Sequence, residues 1–126
     1  VRSKIKDAVS RVAHGTSQAH GCTCTSEVIS GYPVTINNEE QALLTSRVAS
    51  ALVGADGFHM AEDPALAAED FSYVLNQVPG AMAMMGVCPD DVSPAEAAPN
   101  HSNFMRVNES AFYNGVGLYA AMAMVG

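Results

Sequence analysis

The sequence predicts a layered α/β fold. Apolar residues recur at helical spacing in several segments, Cys22 to Ile29 alternates with period two, and Ala81 to Val87 is apolar on both faces. The first pattern is that of amphipathic helices, and the last is that of a strand covered on both sides.

Ile5, Ala8, Val9, Val12, Ala13 and Thr16 mark the first helix, with Lys4, Lys6, Asp7 and Arg11 on its other face. Gly21 suits the left-handed position that closes such a helix, and His20 beside it complements the negative helix end. Cys22 to Ile29 follows as a half-buried strand. Gly31-Tyr32-Pro33 breaks the pattern, and Asn37-Asn38 followed by Glu39-Glu40 opens a second helix with cap residues and acids in its first turn. Leu44, Val48, Ala51 and Leu52 form its buried stripe, and Gly54 ends it. Phe58 to Ala61 reads as a short strand. Phe71, Val74, Leu75 and Val78 lie on one face of a third helix stopped by Pro79-Gly80. Beyond the strand at Ala81 to Val87, an irregular stretch runs from Cys88 to Asn103, and Phe112, Val116, Tyr119 and Ala123 mark a closing helix.

Composition narrows the function. Hydrophobic residues make up 48% of the 126-residue chain, enough for a modest core and too many for a disordered tail. Thirteen acids against six bases give a net charge of −7, and no cluster of Lys or Arg offers phosphates a binding surface, so nucleic acid is an unexpected partner. The longest apolar runs fall short of the ~20 residues that span a bilayer, so no membrane association is expected. Three cysteines at no framework spacing, with no leader at the start, point to a reducing cytoplasm. Val1 is not an initiator Met, and the chain is expected to begin inside something longer.

A loop of ~15 residues in a compact domain is usually functional or disordered, which makes the Cys88 to Asn103 stretch the first place to look for chemistry. At its end His101, flanked by Asn100 and Ser102, is an imidazole that can bind a metal or move a proton, or is simply solvated. Glu69-Asp70 invites a paired-carboxylate reading, although acids at a helix start are also explained by capping and the helix dipole. Cys22, Cys24 and His20 form a soft-metal patch only if the strand starts at His20; without further ligands, buried thiols are the simpler reading. No Walker loop, G-x-S-x-G, G-x-G-x-x-G or H-E-x-x-H motif is present.

Several motifs fall in a familiar order: Gly31-Tyr32-Pro33-Val34-Thr35-Ile36-Asn37-Asn38; Ala68-Glu69-Asp70-Phe71-Ser72-Tyr73; Val78-Pro79-Gly80-Ala81; Asn100-His101-Ser102 with Phe104; and Asn108-Glu109. Together they resemble the C-terminal part of the di-metal N-acyl-amino-acid amidohydrolases, the aminoacylase and carboxypeptidase-like family that includes hippurate and auxin-conjugate hydrolases. The resemblance implies the returning half of a layered α/β catalytic domain, residues 37–126. Ahead of it, residues 1–36 would be the last helix and strand of an α+β lid through which the parent forms a homodimer.

It further implies that His101 matches the family's final metal-ligand histidine, that Glu69 and Asp70 support the site without transferring a proton, and that Asn37 and Asn100 are substrate-binding or supporting residues. Asn37 is equally open to a plain role at the helix entry. The parent would hold two divalent ions (Zn, Mn, Co or Ni) and hydrolyse the amide bond of a small N-acyl amino acid. The other ligands and the Glu-Glu pair supplying the base would lie upstream of Val1. No residue of the chain is then assigned to catalysis itself, and the 126 residues alone are expected to be inactive. Two positions depart from the family pattern: Ala68 follows an Ala where Gly is common nearby, and Asn103 replaces the Pro usual after the His-Ser pair. The rival expectation is a non-catalytic acidic interaction module, or a degraded remnant of such an enzyme.

Overall fold

A computed structural model describes residues 1–125, which fall into two compact units, one ending at Tyr32 and the other starting at Pro33. In the first unit, α1 (Arg2–Ala19) ends as its sequence predicts. Gly21 has φ +68°, its N–H donates to the Gln18 carbonyl (3.0 Å), and the Cys22 N–H donates to the Ser17 carbonyl (2.8 Å). These two bonds are the Schellman closure, which satisfies carbonyls that the last turn would otherwise leave open. The segment after it returns beside the start of the helix. Arg2 donates to the Tyr32 carbonyl (3.1 Å) and Lys6, one turn on, donates to the Ser30 hydroxyl. The apolar stripe of α1 is nevertheless open, with Ile5, Val9 and Val12 each about half exposed.

In the second unit, α2 (Glu39–Val53) starts at Asn38, whose side chain accepts from the Gln41 N–H at 3.1 Å, and Glu39 and Glu40 occupy its first turn. It packs against α4 (Phe112–Val125), and Leu44, Val48 and Leu52 border a shallow groove with Ala121 and Val125. Gly115 lets α4 approach the 81–87 segment closely, since a Cβ there would lie 3.1 Å from the Met85 sulfur. Between the two helices, α3 (Ser72–Leu75) is a single turn. It is shorter than the expected 71–78 because Val78 precedes Pro79, which disfavours helical backbone at that residue; the last bonds run from the Gln77 and Val78 N–H groups to the Val74 carbonyl.

The sheet is the main correction. Among the described residues no strand forms, and the strands expected at 22–29, 58–61 and 81–87 lack regular structure. A strand exists only as one side of a hydrogen-bonded ladder. Here the joining segments make isolated bonds, Asn38 N–H to the Gly80 carbonyl and Asn108 N–H to the Val87 carbonyl, both 2.9 Å. Nor is the 81–87 run covered on both faces, because Met84 is largely exposed.

The surface area quantifies this openness. The chain exposes 10190 Å², whereas a folded monomer of 13.1 kDa exposes about 6,400 Å². Among the described residues only Ala49 and Ser72 are buried, Ser72 fully so, while Val34, Ile36, Leu66, Phe104, Val116 and Tyr119 stand in water. Apolar surface of this extent is normally removed by further packing. No described helix is long and apolar enough to cross a membrane.

Candidate functional site

The loop between Cys88 and Asn108 is built as a chain of tight turns. Val92 N–H donates to Pro89, Glu96 and Ala97 N–H to Ser93, Ser102 N–H to Pro99, and Met105 N–H to Ser102. In the turn Pro99-Asn100-His101-Ser102, His101 stands third with φ +70°. That is the left-handed place of a type II turn, where Gly or Asn is usual. Holding an imidazole there costs about 1 kcal/mol of backbone strain. Both Asn100 and His101 are exposed. Ser102 steadies the next residues through its hydroxyl, which accepts from the Phe104 N–H at 3.2 Å.

The base of the loop is joined by side chains. Arg106 meets Asp91 with two parallel hydrogen bonds, Nη1 to Oδ2 at 3.0 Å and Nη2 to Oδ1 at 3.1 Å. The hydrogen bond from this guanidinium, with its positive charge, holds the Asp91 carboxyl below its ordinary value. Asn108 lies two residues after Arg106 and bonds in three directions. Its N–H donates to Val87, its Nδ2 donates to Asp90 (3.3 Å), and its Oδ1 accepts from the N–H and hydroxyl of Ser110 in the short 3-10 turn Glu109–Ala111 that precedes α4. Asp91 and Arg106 are functional candidates that pattern reading passes over; the available signal is a pair of acids and an Arg flanking one long loop.

The remaining sequence candidates lie on other segments. Glu69 Oε1 accepts from the Phe71 N–H at 3.0 Å and so caps the turn that begins α3, while the Asp70 carbonyl accepts from the Tyr73 N–H. Beside them the Ser72 hydroxyl is fully buried without a hydrogen-bond partner among the described residues. Asn37 lies just before α2, with its side-chain amide bonded to the backbone of Met82. Among the described residues no hydrogen bond or ion pair links His101 or Asn100 to Glu69, Asp70 or Asn37.

The family model for peptidase family M20/M25/M40 matches residues 4–125. The chain belongs to that family. Similar proteins include thermostable carboxypeptidase 2 of Saccharolobus solfataricus, 30% identical over 98% of this chain and 30% of its own length. IAA-amino acid hydrolase ILR1-like 2 of Arabidopsis thaliana is 26% identical over 98% of this chain and 27% of its own length. N-acetyldiaminopimelate deacetylase of Streptococcus suis is 35% identical over 66% of this chain and 22% of its own length. The chain thus spans less than a third of the length of these relatives. No solved structure matches it.

A divalent ion needs several converging donors. Among the described residues no three His, Cys, Asp or Glu side chains converge, and neither His20 with the free Cys22 and Cys24 nor the carboxylates near Asp70 form such a group. The exposed His101 imidazole has the donor chemistry of one ligand. Among the described residues these side chains do not by themselves amount to a metal site.

Proposed function

We propose that the chain is the C-terminal part of a metal-dependent amidohydrolase acting on N-acyl amino acids or related small conjugates. The observation that carries this reading is the M20/M25/M40 match running from residue 4 to 125. Two of the relatives are named for the hydrolysis of an amino-acid conjugate and the deacetylation of an N-acetyl amino acid. The apolar surface left open on both units fits a chain that packs against further polypeptide.

In this reading His101 supplies one ligand to one of two divalent ions, and residues upstream of Val1 supply the others together with the general base. A divalent ion held there would polarise the amide carbonyl and activate water. The chain's own contribution is to present the imidazole at the tip of a tight turn. Glu69 and Asp70 support the site from the start of α3, and Asn37 and Asn100 act in substrate binding or in support. Residues 1–36 belong to a lid that pairs two copies in the parent, residues 37–126 are the returning half of the catalytic domain, and the enzyme works in the cytoplasm.

The test compares the full-length protein with the isolated 126 residues, each incubated with Zn²⁺, Mn²⁺ or Co²⁺ and an N-acetyl amino acid. Release of free amino acid is expected from the full-length protein and none above buffer from the isolated chain. Turnover by the isolated chain removes the fragment reading. No turnover by the full-length protein with any of these ions, across a panel of acyl amino acids, favours the non-catalytic acidic module instead.

A further inference from the structure

We propose that residues 81–87 form a docking edge on which a strand of further polypeptide from the parent enzyme lays its backbone, an inference that rests on the fragment reading above. The run Ala81-Met82-Ala83-Met84-Met85-Gly86-Val87 carries no charged side chain and no proline. Its ends are tied, since Asn37 pairs the N–H and C=O of Met82 and the Val87 carbonyl accepts from the Asn108 N–H. Among the described residues, none of the backbone N–H and C=O groups of Ala83, Met84, Met85 and Gly86 makes a hydrogen bond. All four residues are exposed, Met84 to 77%.

Two demands meet in this run and together select the occupant. The methionine side chains gain from leaving water, whereas peptide N–H and C=O groups that lose water without a new partner cost about 1–3 kcal/mol each. An apolar helix laid over the run meets the first demand only, because a helix pairs its own peptide groups internally. A strand meets both, offering donors and acceptors along its length together with side chains to cover the methionines. Open sheet edges are protected by Lys, Pro or a bulge, and this run has neither Lys nor Pro.

The extent of bare surface indicates whose strand it is. The 10190 Å² exposed exceeds that of a compact monomer of this mass by about 3,800 Å². A standard interface between two copies removes only about 800 Å² from each. The helix α4, which approaches Met85 at Gly115, is itself bare at Val116 and Tyr119 and needs cover of the same origin. The relatives carry more than two thirds of their length outside the part this chain matches, enough polypeptide to supply the strand and the remaining cover.

The experiment is hydrogen–deuterium exchange read by mass spectrometry on the full-length protein and on the isolated 126 residues, with the amides of α2 as the folded reference. The amides of residues 83–86 are expected to exchange at the intrinsic rate in the isolated chain and about a hundredfold more slowly in the full-length protein. A benzophenone side chain placed at position 84 of the full-length protein is expected to crosslink to a peptide outside these 126 residues. If the full-length protein hydrolyses N-acetyl amino acids while residues 83–86 exchange within about threefold of the intrinsic rate and α2 stays protected, the docking edge is overturned and the proposed function stands. Protection in the isolated chain that grows with its concentration, with crosslinks between copies, overturns the edge in favour of a second copy as occupant. Turnover by the isolated chain overturns both readings. Exchange is measured on the unsubstituted protein and decides even where the position-84 variant does not fold.

Discussion

Asn37 binds Met82 twice, donating from Nδ2 to the Met82 carbonyl at 3.1 Å and accepting the Met82 N–H on Oδ1 at 2.8 Å. A side-chain amide here does what a neighbouring strand's peptide group does in a ladder, using one donor and one acceptor in register. With the Asn38 N–H to Gly80 bond, it ties the entrance of α2 to the start of the 80–87 segment.

Replacing Asn37 with Ala removes both bonds and is expected to cost about 1–2 kcal/mol. Asn37→Asp keeps the acceptor, loses the donor and sets a carboxylate against the Met82 carbonyl, so it should be no better than Ala. Urea unfolding midpoints of the three proteins, compared at constant slope, measure the order.

Ser72 carries a fully buried hydroxyl with no hydrogen-bond partner among the described residues. Ser72→Ala removes the unpaired group at nearly constant volume and should raise stability by about 1 kcal/mol. Differential scanning calorimetry showing a lower melting temperature for Ser72→Ala would mean that the hydroxyl is paired in solution.

His101 holds a left-handed backbone conformation that glycine adopts freely. His101→Gly is therefore expected to leave stability unchanged or raise it by about 1 kcal/mol, while His101→Ala leaves it near the original value. Chemical denaturation of the two variants separates the backbone preference from any loss of metal binding.

Asp91 titrates below its ordinary range because Arg106 hydrogen-bonds its carboxylate. The folded chain thus holds this proton less tightly than the unfolded one, so the pair's contribution is complete above the ordinary aspartate value and is lost as pH falls through the lowered one. Amide exchange in residues 92–105 should accelerate, relative to the intrinsic rate, on going from about pH 6 to about pH 2, and the change should vanish in Asp91→Asn. Half-molar salt should weaken the same protection, since both side chains are largely in water.

Helix ends were legible where the chemistry is local. Gly21 announces a left-handed closure and Asn38 an N-cap, and both are read from a few neighbouring residues. The lack of strands among the described residues was not, because a strand's partners are distant and a run such as Ala81 to Val87 says only that both faces want cover. Nothing near Asn37 in the sequence points to Met82, and nothing near Asp91 points to Arg106. For the candidate site, a polar loop ending in an imidazole is visible in the letters, whereas the positive φ of His101 and the joined base of its loop depend on tertiary geometry. Family membership was legible because several short motifs kept their order between Gly31 and Glu109.

The segment between Asp91 and Arg106 is also where this scaffold has room to change length. Its internal bonds are all short-range, so extra residues inserted near Ala97 and Ala98 break few of them, and doubling such a span costs only about 0.6 kcal/mol in closure entropy. Relatives could lengthen or shorten the approach to the His101 turn, and so reshape what enters beside it, without disturbing the anchor points on either side.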